Sequence, residues 1–365
     1  MAKYIYQYSN WPHFTWNDQE IQALLGRVRY LQGKLLGQMS SVGFSLKEET
    51  LLTTLTLDVL KSSEIEGEIL NYEQVRSSIA RQLGLEYVGM VYSSRNIEGV
   101  VEMLLDATQN YTQPLSEERL FGWHAALFPS GFSGLYKIEV AKYRSGDMQV
   151  VSGAMGKEKI HYESPKPELV EAEMNQFLKW FNEEDKLDLV LKSAIAHFWF
   201  IIIHPFDDGN GRMARALSDL LLSRSDDTSQ RFYSLSNQIL NERKIYYKVL
   251  QKIQSSSGDI TEWLVWYLSC LYRALQSTES TLRKVMLKFD FWDKYGEMGF
   301  NSRQCLMLNK LLDGFDGKLT SSKWAKITKC SQDTAIRDIQ NLIDNAILRK
   351  EAQGGRSTNY ELNEI

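Results

Sequence analysis

Apolar positions recur at helical spacing through most of the chain. In WNDQEIQALLGRVRYLQGKLLGQM, residues 16–39, Ile21, Leu24, Leu25, Val28, Leu31, Leu35 and Leu36 form one such stripe. In KEETLLTTLTLDVLKSSEIEGEIL, residues 47–70, leucines 51, 52, 55 and 60 predict a second helix, which its threonines weaken and Gly67 can stop. Asn71 with Gln74 reads as a capping pair for a third, YEQVRSSIARQLG. Residues 186–203, KLDLVLKSAIAHFWFIII, are apolar nearly all round, the pattern of a central buried helix. MQVVSGAMGKEKIHYES, 148–164, instead reads as a β-hairpin turning around Gly153 and Gly156. After residue 300 the pattern gives a helix, two more helices joined near Lys329–Ser331, and a hairpin turning at Gly354–Gly355, the order of a winged helix.

The predicted fold is therefore mainly α, in three parts: an N-terminal helical domain, 1–85; a helical core with a β-hairpin, 86–285; and a linker helix with a winged-helix-like domain, 286–365. Composition changes this little. The chain has 365 residues, 43% hydrophobic and 24% charged, with a net charge of −4. That is ordinary for a globular protein and gives no overall signature of a polyelectrolyte partner. Cys270, Cys305 and Cys330 are too far apart for a metal cluster and read as thiols of a reducing compartment. No signal-like N-terminus and no ~20-residue apolar span is visible. The expectation is a cytoplasmic protein with no membrane partner.

The chemistry concentrates in HPFDDGNGR, His204 to Arg212. Pro205 ends the buried helix and leaves His204 facing a loop. Gly209, Asn210 and Gly211 permit a tight turn, after which RMARALSDLLLSR restarts a helix. A helix start after Gly-Asn-Gly is an anion cradle, and Arg212 and Arg215, three apart, add guanidinium donors on one face. Asp207 and Asp208 fit beside phosphate if one holds Mg²⁺. His204 can serve as a general base near neutral pH. A capped helix–helix turn would explain any one of these residues; together they describe phosphoryl or nucleotidyl transfer. No Walker sequence occurs.

HPFDDGNGRMAR resembles the Fic family signature, HPFx[D/E]GNGRxxR, at every position. The buried helix before it, the 148–164 hairpin and the helix through EWLVWYL, 262–268, also fit a Fic core of roughly 200 residues. The resemblance implies an AMP transferase using ATP and Mg²⁺ to modify a Ser, Thr or Tyr hydroxyl of a target protein, releasing pyrophosphate. It implies His204 as base, Asp208 on Mg²⁺, and Gly209–Gly211 on the α- and β-phosphates with help from the Asn210 side chain. Arg212 would meet the β-phosphate and Arg215 the γ-phosphate. Phe206 reads as a packing anchor and Asp207 as solvated. The hairpin reads as a flap on which an extended target segment docks, and His161 on it as a surface residue. SSEIEGE, with Ser62, Glu66 and Gly67, matches the family's inhibitory pattern [ST]xxxE[GN]. It implies that Glu66 pairs with Arg215 and misplaces the nucleotide, or supports AMP removal at the same site. Asn241, Tyr246 and Tyr247 are candidates for an adenine pocket.

The aromatic N-terminus (Tyr4, Tyr6, Tyr8, Trp11, Trp16) reads as core packing. In the C-terminal part Arg337 stands beside Asp333 and Asp338, which disfavours DNA and favours a protein-binding or dimer-forming module, including a homodimer. Two other functions compete: a transcription regulator with the core as nucleotide sensor, and a metal phosphohydrolase on His204, Asp207 and Asp208. UTP or CTP remain open as donors, since the signature reads phosphates and not the base.

Overall fold

The computed structural model describes residues 3–41, 44–85, 91–152, 159–184, 186–312, 315, 317–351 and 358–363. The first three apolar stripes become α1 (Asp18–Ser41), α2 (Phe44–Ile65) and α3 (Tyr72–Gln82). α2 buries Leu51, Leu52, Leu55 and Val59, so burial outweighs the weak propensity of its threonines. It ends in a Schellman turn. Gly67 adopts φ +89°, its N–H donates to the Glu64 carbonyl at 3.0 Å, and the Glu68 N–H donates to the Ser63 carbonyl at 3.0 Å. That geometry requires a left-handed residue, which is why glycine stands there. Asn71 caps α3 as expected, accepting the Gln74 N–H at 3.0 Å, but the reciprocal bond is absent: the Gln74 side chain accepts the Ser94 N–H instead.

α4 (Arg95–Gln109) and α5 (Glu117–Leu127) cross so closely that a Cβ at Gly99 would lie 1.7 Å from the Ala126 carbonyl oxygen. A short antiparallel pair, β1 (Phe132–Ser133) and β2 (Tyr136–Lys137), precedes the expected hairpin of β3 (Gln149–Ser152) and β4 (Lys159–Glu163), whose register shifts between Val150 and Val151. The expected turn at Gly153 and Gly156 lies outside the described residues. α6 (Pro167–Asn182) leads to α7 (Leu189–Ile203), buried from Val190 to its end, and then α8 (Asn210–Asp226). α9 (Leu235–Asn241), α10 (Arg243–Gln254) and the long α11 (Thr261–Tyr295) follow. Trp11 and Phe14 set their edges against Trp199 of α7 at 6.0 and 5.8 Å between ring centroids, and Tyr4 packs edge-on to Tyr162 of β4 at 5.0 Å. Of the five expected core aromatics Tyr4 is buried, while Tyr6, Tyr8, Trp11 and Trp16 are half-buried.

Contacts divide the chain into 1–278 and 279–365. The first unit runs through the expected boundary at 85/86. α1 and α2 are joined to the later helices. Arg29 pairs with Asp188 at 2.9 Å, Gln32 donates to Asp226 at 2.8 Å, and α2 packs along α8 and α9. The boundary between the units, 278/279, and the expected one, 285/286, both lie within α11.

In the second unit α12 (Ser302–Leu312), α13 (Ser321–Thr328), α14 (Gln332–Asp344) and the antiparallel pair β5 (Leu348–Lys350) and β6 (Tyr360–Leu362) surround Trp324, Met307, Leu308 and Leu342. The order of elements is the expected one; the turn at Gly354–Gly355 lies outside the described residues. Asp338 turns inward to Arg303 at 2.7 Å and to Asn301, so it takes no charge to the outer face of α14. Among the described residues no helix is long and apolar enough to cross a membrane.

A buried charge cluster joins α2 to α8. Arg231 pairs with Asp219 at 3.0 Å and Asp226 at 3.5 Å, while Asp58 accepts a hydrogen bond from Ser234. One guanidinium cannot balance three buried carboxylates, and burial, then the charge of Asp219, pushes the Asp58 pKa up. A carboxyl raised by folding contributes stability that is complete at low pH and is lost as pH climbs from about 4 through its folded value. Asp58→Asn, neutral throughout, should flatten the decline of melting temperature between about pH 5 and pH 8, with a gain on the order of 1 kcal/mol or more at the upper end. Parallel melting curves for parent and variant would refute this assignment.

Candidate active site

Pro205 stops α7, and His204 closes it in the left-handed region at φ 51° and ψ 60°. The half-buried imidazole has Nδ1 3.3 Å from the Ile201 carbonyl oxygen. A carbonyl only accepts, so Nδ1 carries the proton and Nε2 keeps its lone pair. Burial lowers the His204 pKa to about 4, so the ring is neutral at pH 7 and Nε2 is free to accept a proton.

The helix restarts earlier than expected. α8 begins at Asn210, with Gly209 at φ 82° before it. Gly211 lies inside the first turn and is glycine for another reason: a Cβ there would sit 2.1 Å from Glu66 Oε1. The Glu66 carboxylate thus lies directly over the helix start. Glu66 Oε1 is 2.8 Å from the Arg215 guanidinium, which is only 2% exposed. Arg215 also donates to the Ser62 hydroxyl at 2.8 Å and the Ser62 carbonyl at 2.9 Å. Ser62, Glu66, Gly67, Gly209, Gly211, Arg212, Arg215 and His204 are thus gathered at one place.

Three expectations need correction. The Asn210 side chain does not face outward toward phosphate; it accepts from the Phe206 N–H at 3.1 Å and donates to the Phe206 carbonyl at 2.8 Å, which closes the loop on itself. Asp207 is not merely solvated: it accepts the Glu139 N–H at 2.8 Å. Tyr246 is no pocket residue, being 2% exposed with its hydroxyl 2.9 Å from His197 Nε2 in the core. Asn241 and Tyr247 do line an open surface groove with Arg243 and Ile245. Burial, then the Glu66 charge, raises the Tyr247 phenol.

Other contributors carried no motif. Glu68, the last residue of SSEIEGE, holds Arg212 at 2.9 Å, so both arginines are occupied by carboxylates from one turn. Ser133 donates to Asp208 Oδ2, and the Gly209 N–H to Oδ1 at 2.6 Å. His124 stacks on Phe206 at 4.4 Å, accepts the Ala141 N–H at Nδ1, and so presents a protonated Nε2 to the Asp208 carbonyl at 3.2 Å. Burial lowers its pKa to about 4, keeping this brace uncharged. Phe206 is fully buried, as expected. The only sequence trace of Glu68 was its place in an acidic run; Ser133 and His124 had none, because their role depends on contacts across 75 and 84 residues.

Among the described residues no group of three His, Cys, Asp or Glu is placed to hold a metal. A lone carboxylate beside an anion cradle still suits Mg²⁺, which keeps several waters and takes one or two carboxylates plus substrate phosphates.

Comparison with known proteins agrees with this geometry. Residues 114–222 match the Fic/DOC family, and residues 4–85 match a domain of unknown function, DUF4172. A protein adenylyltransferase Fic of Nematostella vectensis is 30% identical over 146 residues, 39% of this chain and 30% of that protein. A probable protein adenylyltransferase of Aquifex aeolicus is 31% identical over 122 residues, 33% of each. The matched stretches thus span a third or less of these relatives. The crystal structure of a Fic family protein from Desulfovibrio desulfuricans superposes with a TM-score of 0.54 at 22% identity, covering 94% of this chain and 96% of that one. Fic-1 of Caenorhabditis elegans gives 0.50 at 21% identity over 73% and 74%. The fold is that of the solved Fic proteins, and residues 114–222 carry the match to the Fic/DOC family.

Proposed function

We propose that this protein transfers AMP from ATP to a Ser, Thr or Tyr hydroxyl of a target protein, and that the described arrangement is its self-inhibited state. The observation that carries the reading is the Glu66 carboxylate seated on Arg215 over the first turn of α8, beside a neutral, correctly tautomeric His204. A pocket that holds one anion so closely is built for anions.

In the reaction, His204 Nε2 takes the proton of the target hydroxyl. The oxygen attacks the α-phosphorus, the bond from that phosphorus to the bridging oxygen of the β-phosphate breaks, and pyrophosphate leaves. The start of α8 and Gly209–Gly211 receive the α- and β-phosphates. Arg212 takes the β-phosphate and Arg215 the γ-phosphate, each releasing its carboxylate. Asp208 would hold Mg²⁺, which supplies charge neutralisation on the phosphates when bound. Asn210 shapes the loop, and Asn241 and Tyr247 border the base. An extended target segment docks on the β3–β4 hairpin, where Val150 and Ile160 are exposed. Residues 4–85 would act as the inhibitory part and 279–365 as a protein-binding or dimer-forming module.

The test is incorporation of α-labelled ATP into protein with Mg²⁺. Label that requires both His204 and the nucleotide supports transfer. No label in any variant that still binds ATP sinks it. Loss of label from a pre-modified target would instead show AMP removal by the same site.

A further inference from the structure

We infer that Arg144 is a positioning residue that fixes the general base relative to the docked target. The inference rests on the transfer reading above. Arg144 is 2% exposed, and every guanidinium bond observed goes to a main-chain carbonyl. Nε donates to His204 at 2.8 Å, one terminal nitrogen to Gly146 at 2.8 Å, and the other to Pro165 at 2.5 Å and Ile203 at 3.5 Å. Its own N–H donates to the Pro205 carbonyl at 2.9 Å.

One residue thus holds three consecutive carbonyls, 203 to 205, at the end of α7. Helix ends leave such carbonyls without partners, and the cation also suits the negative end of the helix dipole. Left-handed backbone at a residue other than glycine costs roughly 1–2 kcal/mol, and these bonds offset it at His204. The same fork reaches Gly146 and Pro165, which bracket the β3–β4 hairpin just outside its strands. The surface that would carry the target hydroxyl and the turn that carries the base are therefore tied to one planar group. Lysine could supply the charge at this site but not the fork.

Arg144 touches no part of the phosphate pocket. Its loss should therefore change the rate of the chemical step and leave nucleotide binding alone. In the Glu66→Gly background, Arg144→Lys and Arg144→Gln should lower kcat for AMP transfer roughly tenfold to a hundredfold, with KM for ATP unchanged within about twofold. An unaltered kcat in Arg144→Lys, or a parallel rise in KM for ATP, would overturn the inference. If Arg144→Gln does not fold, Arg144→Lys decides.

A second readout needs no activity: long-range ¹H–¹⁵N spectra of the His204 imidazole. The parent should show the single Nδ1–H tautomer, and Arg144→Lys a mixture, as the turn loosens. An identical tautomer in both would count against the inference. A parent that transfers no label while its tautomer changes on substitution would reject the transfer reading and leave the positioning role standing.

Discussion

His204→Ala, made in the Glu66→Gly background, should lower AMP incorporation by roughly 10²- to 10⁴-fold, the range a positioned general base contributes. The side chain matters here through its free Nε2. Nδ1 is committed to the Ile201 carbonyl, so no other tautomer supplies the base. The pH dependence follows from the same environment. Only the neutral ring can accept a proton, and burial keeps it neutral down to about pH 4. Activity of the free enzyme should therefore persist below the usual histidine range near pH 6.5 and fall only as pH approaches that lower value. A rate profile bending near 6.5, or transfer surviving in His204→Ala, would remove His204 from the role.

Glu66→Gly is expected to raise incorporation by about a hundredfold, the loss that a misplacement near 1 Å can impose on a transfer step. The carboxylate occupies the guanidinium that the γ-phosphate would need under the proposed function, and its Oε1 lies against Gly211, where phosphate would approach the backbone. Glu68 acts on the neighbouring arginine but from a more open position, its side chain 41% exposed against 33% for Glu66. Water screens the Glu68 end of this pair, although Arg212 is buried, which holds its worth to about 1 kcal/mol. Glu68→Gln alone should therefore raise transfer only a few-fold, and add to Glu66→Gly in the double variant. Parallel titrations of ATP separate the outcomes. Tighter productive binding without a higher rate would mean that the carboxylates limit access and not alignment.

Local chemistry made part of this molecule legible in the sequence. Residues 189–203 are apolar on all sides, so they could only be a buried helix, and Pro205 had to end it. The HPFDDGNGR run carries its anion cradle and its base within nine residues, because loop and helix start are contiguous in the chain. Gly67 marked the end of α2 because a Schellman turn needs a left-handed residue. Even the pairing of Glu66 with Arg215 could be anticipated, although 149 residues separate them, since both belong to recognisable patterns.

The rest depended on packing between distant segments. Gly211 looks like a flexible residue in sequence, yet it sits in a regular helical turn and is small because a side chain from α2 lies on top of it. Asn210, Asp207 and Tyr246 have the right chemistry for ligand contacts, but Phe206, Glu139 and His197 claim their hydrogen bonds. Asp338 looked like a surface charge until Arg303 drew it inward. For the N-terminal helices periodicity shows that a stripe is buried without showing against what; for α2 the partners include α8 and α9. The sequence alone determined the helices, the candidate base and the glycine turn before α8, which arise from neighbouring residues. Only the tertiary structure decided which polar groups remain available, because each such choice is settled by a competing partner far away in the chain.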